Sequence, residues 1–348
     1  MSQAGSNWTL DDGPHNDIVI SSRVRLARDL QKLPMPSFQN EASSYTVFEL
    51  IRLAYENLEL VAQGYYFYNM GELPLLERQI LIEKHLISPE FAAKRPNQGL
   101  IISSDEIISI MINEEDHLRI QALYNGLQLD KAWVKADGID NLLESRLDYA
   151  FAEKRGYLTA CPTNVGTGLR ASVMVHLPEL VLTKQAGRIF STLSQLGLAV
   201  RGLYGEGTEA TGHFFQISNQ ITLGQKESEI IQNLTSVTLQ IVEKEVEIRQ
   251  TLAKEAEVQL SDRVGRALGT LKYASILSSE ESLNLLSDVR LGQDLGIINT
   301  GLTNRELTEL MIEAQPAFLQ KYSGKTMDTQ ERDVARANLF KEKITKRG

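Results

Sequence analysis

The sequence predicts an α+β protein, an antiparallel sheet flanked by helices and followed by an all-helical C-terminal part. Three observations predict it. Apolar runs at 99–103 and 107–113 flank Ser104-Asp105-Glu106, which reads as a β-hairpin. Further strand-like runs alternate with helical apolar spacing as far as residue 218. Beyond residue 255, Ser278-x-x-Glu281, Thr303-x-x-Glu306 and Asp328-x-x-Glu331 read as capping boxes with no strand pattern among them. The expected organisation is an N-terminal extension over 1–20, an α+β unit over 21–254 and a helical unit over 255–348.

In chain order, Ser21-Ser22-Arg23-Val24-Arg25 places two arginines at i and i+2, hence on one face of a strand. Ser43 and Ser44 precede Val47, Leu50, Ile51, Ala54, Leu58 and Val61, whose spacing makes one helix face. A second helix is expected over 75–86. After the hairpin come helical stretches near 130–154 and 179–196, and strands at 169–176, 198–203 and 213–218. A long helix then carries Ile231, Leu234, Val237, Ile241, Ile248 and Leu252 on one side. It turns strongly charged over 243–257, where the first unit is expected to end.

Composition excludes several classes. The 348 residues hold a net charge of −9, which argues against a general nucleic-acid or membrane surface. Residues 1–10 lack the basic and apolar stretches of a signal peptide, and no apolar run approaches membrane-spanning length, so a cytoplasmic location is expected. One cysteine permits no internal disulfide, and five scattered histidines make no metal constellation, so no metal held directly by side chains is expected. No G-x-x-x-x-G-K-[ST] loop is present, so any nucleotide site must be built differently.

Four segments carry candidate chemistry. Asn113-Glu114-Glu115-Asp116-His117-Leu118-Arg119 sets three acids at the end of an apolar strand, which reads as a solvated turn or as a binding site. Cys161-Pro162-Thr163-Asn164-Val165-Gly166-Thr167-Gly168-Leu169-Arg170 reads as a loop able to bring backbone N–H groups close to phosphates. Arg201-Gly202-Leu203-Tyr204-Gly205-Glu206 again pairs Arg with Glu after a strand. With Arg23 and Arg25, residues Arg119, Arg170 and Arg201 form a candidate cation cluster.

In this order the four segments resemble the phosphagen (ATP:guanido phosphotransferase) kinases, whose signature is C-P-[ST]-N-x-G-T-G-x-R. Within that family the chain resembles the bacterial branch acting on protein arginine, through Ser21 to Arg28 and through Arg332-Asp333-Val334-Ala335-Arg336-Ala337. The resemblance implies MgATP as phosphoryl donor, with ATP and Mg2+ as the cofactors. It implies nucleotide contacts from Ser21, Ser22, Arg23, Val24 and Arg25, from His85, and from Arg119. It extends them to Arg170, Ala171, Ser172, Val173 and Met174, and to Arg201, Gly202, Leu203, Tyr204 and Gly205. Small-molecule members often carry His where Met174 stands. Glu115 and Glu206 match the two glutamates that grip the substrate guanidinium, one serving as base, and Cys161 the reactive thiol beside it.

Phosphoryl transfer is mostly positioning plus stabilisation of charge on the phosphoryl oxygens, which fixed guanidiniums supply. A guanidinium titrates about 8–9 units above a glutamate, so the proton is expected to leave as the N–P bond forms rather than before. Arg332 and Arg336 stand at i and i+4 on a helix that Asp328 caps, a spacing that by itself reads as the basic face of a surface helix; the resemblance implies instead a separate phosphoarginine-reading site of Arg332, Asp333, Arg336 and Ala337. The resemblance also implies partners: protein substrates with exposed arginines, a zinc-binding activator protein, the class III heat-shock repressor and the Clp protease, with a homodimer as assembly. Two other readings stand beside it, a small-molecule phosphagen kinase and a catalytically silent phosphoarginine adaptor. Only twenty residues precede Ser21, where small-molecule phosphagen kinases carry a helical domain, and this favours protein arginine.

Overall fold

The computed structural model describes residues 7–9, 12–93, 95–202 and 210–345. It begins with β1 (Val19–Arg28), α1 (Glu41–Asn57), β2 (Tyr65–Asn69), α2 (Leu75–Glu83) and α3 (Pro89–Ala92). The expected hairpin is β3 (Gly99–Ser103) and β4 (Ile108–Ile112), followed by β5 (Leu118–Asn125) and α4 (Leu129–Glu144). A two-residue ladder of β6 (Phe151–Ala152) and β7 (Gly156–Tyr157) stands where helix was expected to run on to 154, because Tyr149 is drawn into a bridge with Leu30. Then come β8 (Leu169–His176), α5 (Pro178–Leu182), α6 (Ala186–Gln195), β9 (Leu198–Gly202) and β10 (Phe214–Asn219). The single helix expected over 179–196 is broken by Lys184, whose φ of 60° is left-handed.

The long helix α7 (Glu227–Glu255) follows, and then the helices α8 (Glu257–Tyr273), α9 (Ser279–Asp294), α10 (Asn304–Glu313), α11 (Pro316–Ser323) and α12 (Thr329–Thr345). Thr303 and Asp328 each form the reciprocal capping box with the glutamate three residues on. Ser278 supplies only its hydroxyl, to the Glu281 N–H. The cap of α1 is Asn40 rather than a serine: its Oδ1 accepts from Ser43 N at 2.9 Å and Ser43 Oγ accepts from Asn40 N at 3.0 Å. Among the described residues no helix is long and apolar enough to cross a membrane.

Eight strands pair antiparallel in the order β2-β3-β4-β5-β1-β8-β10-β9. One face is mainly apolar. Val24, Leu26, Ile120, Ala122, Ala171, Val173 and Ile217 pack there under α1, α4 and α7. The other face is divided. Leu100, Ile102, Met111 and Leu123 pack with Ile312 and Phe318 of the C-terminal helices, and Ile20, Met174 and Phe214 pack with Leu271, Leu283 and Leu310. The helices after α7 thus share two apolar clusters with the sheet. Between these clusters the sheet presents polar residues, and there the site lies.

Candidate active site

Strand register assembles the cations. Arg25 pairs with Arg170 on β8 and with Gln121 on β5, Ala27 with Arg119, and Gln216 with Arg201. Paired residues of neighbouring strands point to the same side, so Arg23, Arg25, Arg119, Arg170 and Arg201 share the polar face. A cavity of about 470 Å³ or more exists elsewhere, but a compact one of about 280 Å³ is lined here by Arg25, Arg119, Arg170 and Arg201 together with Glu115 and Cys161. Sequence reasoning named all six.

The cations raise one another's cost. Arg23 is pushed down to about 10, first by burial and then by Arg119 and Arg170. Arg25 is lowered by burial and by Arg23, Arg119 and Arg170, and Arg170 by burial and then Arg201. Arg23 is braced by Ser172 Oγ at 3.3 Å and by Gln216 Oε1. Arg25 Nε, Arg170 Nε and His85 Nε2, by contrast, are buried without a hydrogen-bond partner among the described residues. Buried donors are normally satisfied, and cations repel unless an anion lies among them, so this face can take up a polyanion. His85 sits in a left-handed turn (φ 59°) whose carbonyl accepts from Gln121 Nε2 at 2.8 Å, and burial, then Arg23, holds its ring down at about 4. Its imidazole is therefore neutral at pH 7.

The three acids divide by role. Glu114 is buried and accepts from Ser88 Oγ at 2.6 Å, Arg119 Nη1 at 2.8 Å and Glu115 N at 2.7 Å. Asp116 is fully buried and accepts from Ala160 N at 2.7 Å. Glu115 alone reaches the cavity; its side chain is 47 % exposed and meets Arg119 Nη2 at 2.8 Å. Cys161 lies on the cavity wall with Sγ 3.0 Å from Thr163 Oγ1. Arg201 and Gly202 end β9, while Leu203, Tyr204, Gly205 and Glu206 lie outside the described residues.

Not every candidate side chain faces the cations. Val24, Ala171 and Val173 point into the opposite core, leaving only backbone to the polar face. Ser22 Oγ donates to Gly126 O at 2.7 Å, tying β1 to the turn before α4, and Ser21 is buried beside Met174. Met174 packs among the C-terminal helices. Gly168 has φ +64° and a Cβ there would lie 2.6 Å from Ala27 O; at Gly166 (φ +118°) it would lie 2.6 Å from Thr222 O. These glycines admit close packing of the loop against β1 and 222, a role the sequence reading did not assign. Arg28, also not singled out, clamps that loop: it donates to Thr167 O at 3.0 Å, pairs with buried Asp140 at 2.7 Å and lies 3.5 Å over the Tyr157 ring.

The C-terminal candidates are arranged differently from expectation. Arg336 is 1 % exposed and donates to Ala314 O at 2.8 Å, Leu277 O at 2.7 Å and Asp333 Oδ1 at 2.6 Å. Ala337 is buried in the core. Arg332 alone lines a cleft of about 310 Å³ with Glu83, Ala317 and Gln320, donating to Met327 O at 3.1 Å. The i,i+4 spacing is real, but the second guanidinium is committed to closing helix ends, and Asp333 to holding it. A larger, mainly apolar cleft of about 730 Å³ between Tyr68 and Phe318 has its Lys84 paired with Glu106 at 2.8 Å and its Lys343 with Glu313 at 2.8 Å. It offers no comparable set of open cations.

The C-terminal catalytic domain of the ATP:guanido phosphotransferases matches residues 46–248, and the "Protein-arginine kinase McsB C-terminal domain" matches 257–347. The chain is 52 % identical over 348 residues to a protein-arginine kinase of Moorella thermoacetica, covering 98 % of this chain and 97 % of that one. It is 51 % identical over 343 residues to one of Pelotomaculum thermopropionicum, covering 98 % and 96 %. Among solved structures it is similar to lombricine kinase, with a TM-score of 0.59, 25 % identity and coverage of 73 % of this chain and 72 % of that one. The duplicated taurocyamine kinase of Schistosoma mansoni with bound transition-state-analogue components shares the fold at TM-score 0.59 and 24 % identity, over 70 % of this chain and 34 % of that one.

Proposed function

Because the chain belongs to the ATP:guanido phosphotransferase family, we propose that this kinase transfers the γ-phosphoryl group of MgATP to arginine guanidinium groups on proteins. The observation that carries the reading is the cluster of mutually repelling arginines with partnerless buried donors, placed against Glu115 and Cys161. Arg25, Arg119, Arg170 and Arg201 would receive the phosphates, with Arg23 held behind them and neutral His85 beside Arg23 on the nucleotide side. Their forked donors match phosphate oxygens and remain charged through the reaction. Magnesium, when bound, neutralises phosphoryl charge; the side chains on this face are cationic, so it would arrive on the nucleotide.

In the structure Arg119 Nη2 holds Glu115 at 2.8 Å. A phosphate competes for that guanidinium, so nucleotide binding frees Glu115 for the substrate. Glu115, with Glu206 by family match, then aligns the planar acceptor, and Cys161 borders it. The acceptor proton passes to a carboxylate as the N–P bond forms and the bond to ADP breaks.

The relatives' name supports protein arginine rather than free arginine. The test offers free arginine and an unfolded protein separately, with MgATP, and detects acid-labile N-phosphate. Label on the protein is expected; label on free arginine alone overturns the choice. From the same family resemblance come the remaining parts of the proposal: a cytoplasmic enzyme whose mark directs substrates to the Clp protease, working with a zinc-binding activator and the class III heat-shock repressor. A phosphoarginine site at Arg332, Asp333, Arg336 and Ala337 would require Arg336 to exchange a carbonyl partner for the ligand.

A further inference from the structure

We propose that Asp29 and Asp116 share a single proton across facing carboxyl oxygens, and that this pair is a positioning device setting the separation of Glu115 and Cys161. The inference rests on the functional reading in that Glu115 and Cys161 border the acceptor guanidinium.

Asp29 directly follows β1, and Asp116 stands in the turn between β4 and β5; they are 2 % and 0 % exposed. Each has one oxygen satisfied. Asp29 Oδ1 accepts from His117 N at 2.8 Å, and Asp116 Oδ1 accepts from Ala160 N at 2.7 Å. The other oxygen of each, Oδ2, is buried with no hydrogen-bond donor among the described residues; the Ala160 N–H also lies near Asp29, and the two carboxyl groups are near enough to interact directly. Two ionised carboxylates are acceptors only, so they cannot bond unless one carries a proton. Two buried like charges in contact are also far costlier than one acid and one carboxylate.

Among the described residues no neighbouring cation relieves the pair. His117 Nδ1 lies 3.3 Å from Asp29, but it accepts the Leu30 N–H at 2.8 Å, so the ring proton is on Nε2, facing Pro34 O at 2.9 Å. Burial holds that ring down at about 4, so the contact is not an ion pair. The remaining charged group facing the pair from its own turn is Glu115, which adds negative potential, and the 159–161 segment contributes the Ala160 N–H. Burial, then Asp29, accordingly pushes Asp116 up to about 8.

The consequence is mechanical. Asp116 is the neighbour of Glu115, and Ala160 is the neighbour of Cys161, whose carbonyl accepts from Thr159 Oγ1 at 2.8 Å. The proton between Asp29 and Asp116 therefore sews the Glu115 turn, the Cys161 loop and the end of β1 together. When it leaves to solvent at high pH the carboxylates repel, the segments part and the acceptor loses its alignment.

The experiment compares wild type, Asp116→Asn and Asp116→Ala in kcat, in KM for ATP, and in the rate of Cys161 alkylation by iodoacetamide, from pH 6.5 to 9.5. The asparagine keeps the acceptor for Ala160 and donates to Asp29 without a titrating proton. Expected are a fall in wild-type kcat above about pH 8 with KM for ATP unmoved, a loss of about tenfold or more in Asp116→Ala at pH 7, and rescue by Asp116→Asn with the alkaline fall abolished. Asp116→Ala should also alkylate faster at pH 7, and the ratio of wild-type to Asp116→Asn alkylation should rise above about pH 8. An alkaline fall in Asp116→Asn matching wild type, or full kcat in Asp116→Ala, overturns the proposal. If no form labels protein arginine, the functional reading fails instead, and alkylation alone decides the pair: identical pH profiles in all three forms would refute it.

Discussion

Replacing Arg25 by alanine separates a binding role for the cation cluster from a structural one, because the two predict opposite signs in the free enzyme. A buried arginine usually stabilises through its hydrogen bonds, and its removal costs stability. Arg25 Nε has no partner among the described residues, and its charge is opposed by burial and by Arg23, Arg119 and Arg170, with Glu114 a smaller opposing attraction. The Arg25→Ala protein should therefore unfold at the wild-type temperature or above it in the absence of nucleotide. In the transition state a fixed donor in a dry site contributes about 2.7–4 kcal/mol, so kcat should fall by about 10²–10³. Ligand stabilisation should fall too. At a hundredfold excess over Kd, ATP adds about 2.7 kcal/mol. With 348 residues at about 2.1 cal/mol/K each, cooperative unfolding has an entropy of about 0.7 kcal/mol/K, so wild type should gain about 4 °C with MgATP. The variant should gain about half of that or less. The assays are thermal unfolding with and without MgATP and initial rates of protein N-phosphorylation. A variant that loses several degrees without nucleotide while retaining activity would show that the cluster serves the fold.

Glu115→Gln keeps the shape of the side chain but removes its charge and basicity, and should lower kcat by about 10²–10⁴ with little change in KM for ATP; undiminished labelling would remove Glu115 from the chemistry. Complete alkylation of Cys161 should suppress activity, measured against the reduced, unmodified enzyme. Arg28→Ala strips buried Asp140 of its partner at 2.7 Å and should cost about 3–5 kcal/mol in denaturant unfolding; a loss below about 1 kcal/mol would contradict the clamp. Glu83 joins α2 to α11 by accepting from Ala317 N at 2.8 Å and Phe318 N at 3.0 Å, yet burial pushes its carboxyl up to about 7. A carboxyl raised in the folded state contributes stability that is full below its unfolded value of about 4.5 and lost as pH rises through about 7. Glu83→Gln should flatten the fall in urea midpoint between pH 5 and pH 8, and an unchanged slope would exclude Glu83 as its source.

Much of the site was legible because strand periodicity is strict. Arg23 and Arg25 at i and i+2 must share a face, and the Cys161 to Arg170 segment resembles a family signature closely enough to supply a mechanism. Three points were not legible in the residue pattern. The family match, not the pattern, singled out Glu115, because which acid of Glu114, Glu115 and Asp116 faces the cavity depends on a turn in which Asn113 has φ 58° and binds His117 O at 3.0 Å, and this turns the outer two acids inward. The glycines of the signature segment look like a phosphate cradle in sequence, but Gly166 and Gly168 are required by the backbones of Thr222 and Ala27. Arg336 reads as a surface cation from its spacing, whereas the ends of α10 and the segment before α9 leave carbonyls that capture it.

What the sequence determined by itself is local: which residues alternate, where helices are capped, and which residue types lie close along the chain. These follow from backbone geometry and short-range hydrogen bonds. What only the tertiary structure decided is the pairing order β5-β1-β8-β10-β9 and the docking of the C-terminal helices on either side of the arginines. The physical reason is that register and docking are set by burying apolar surface over long separations. That burial brings arginines from five separate chain positions onto one face and seals the Asp29–Asp116 pair away from water.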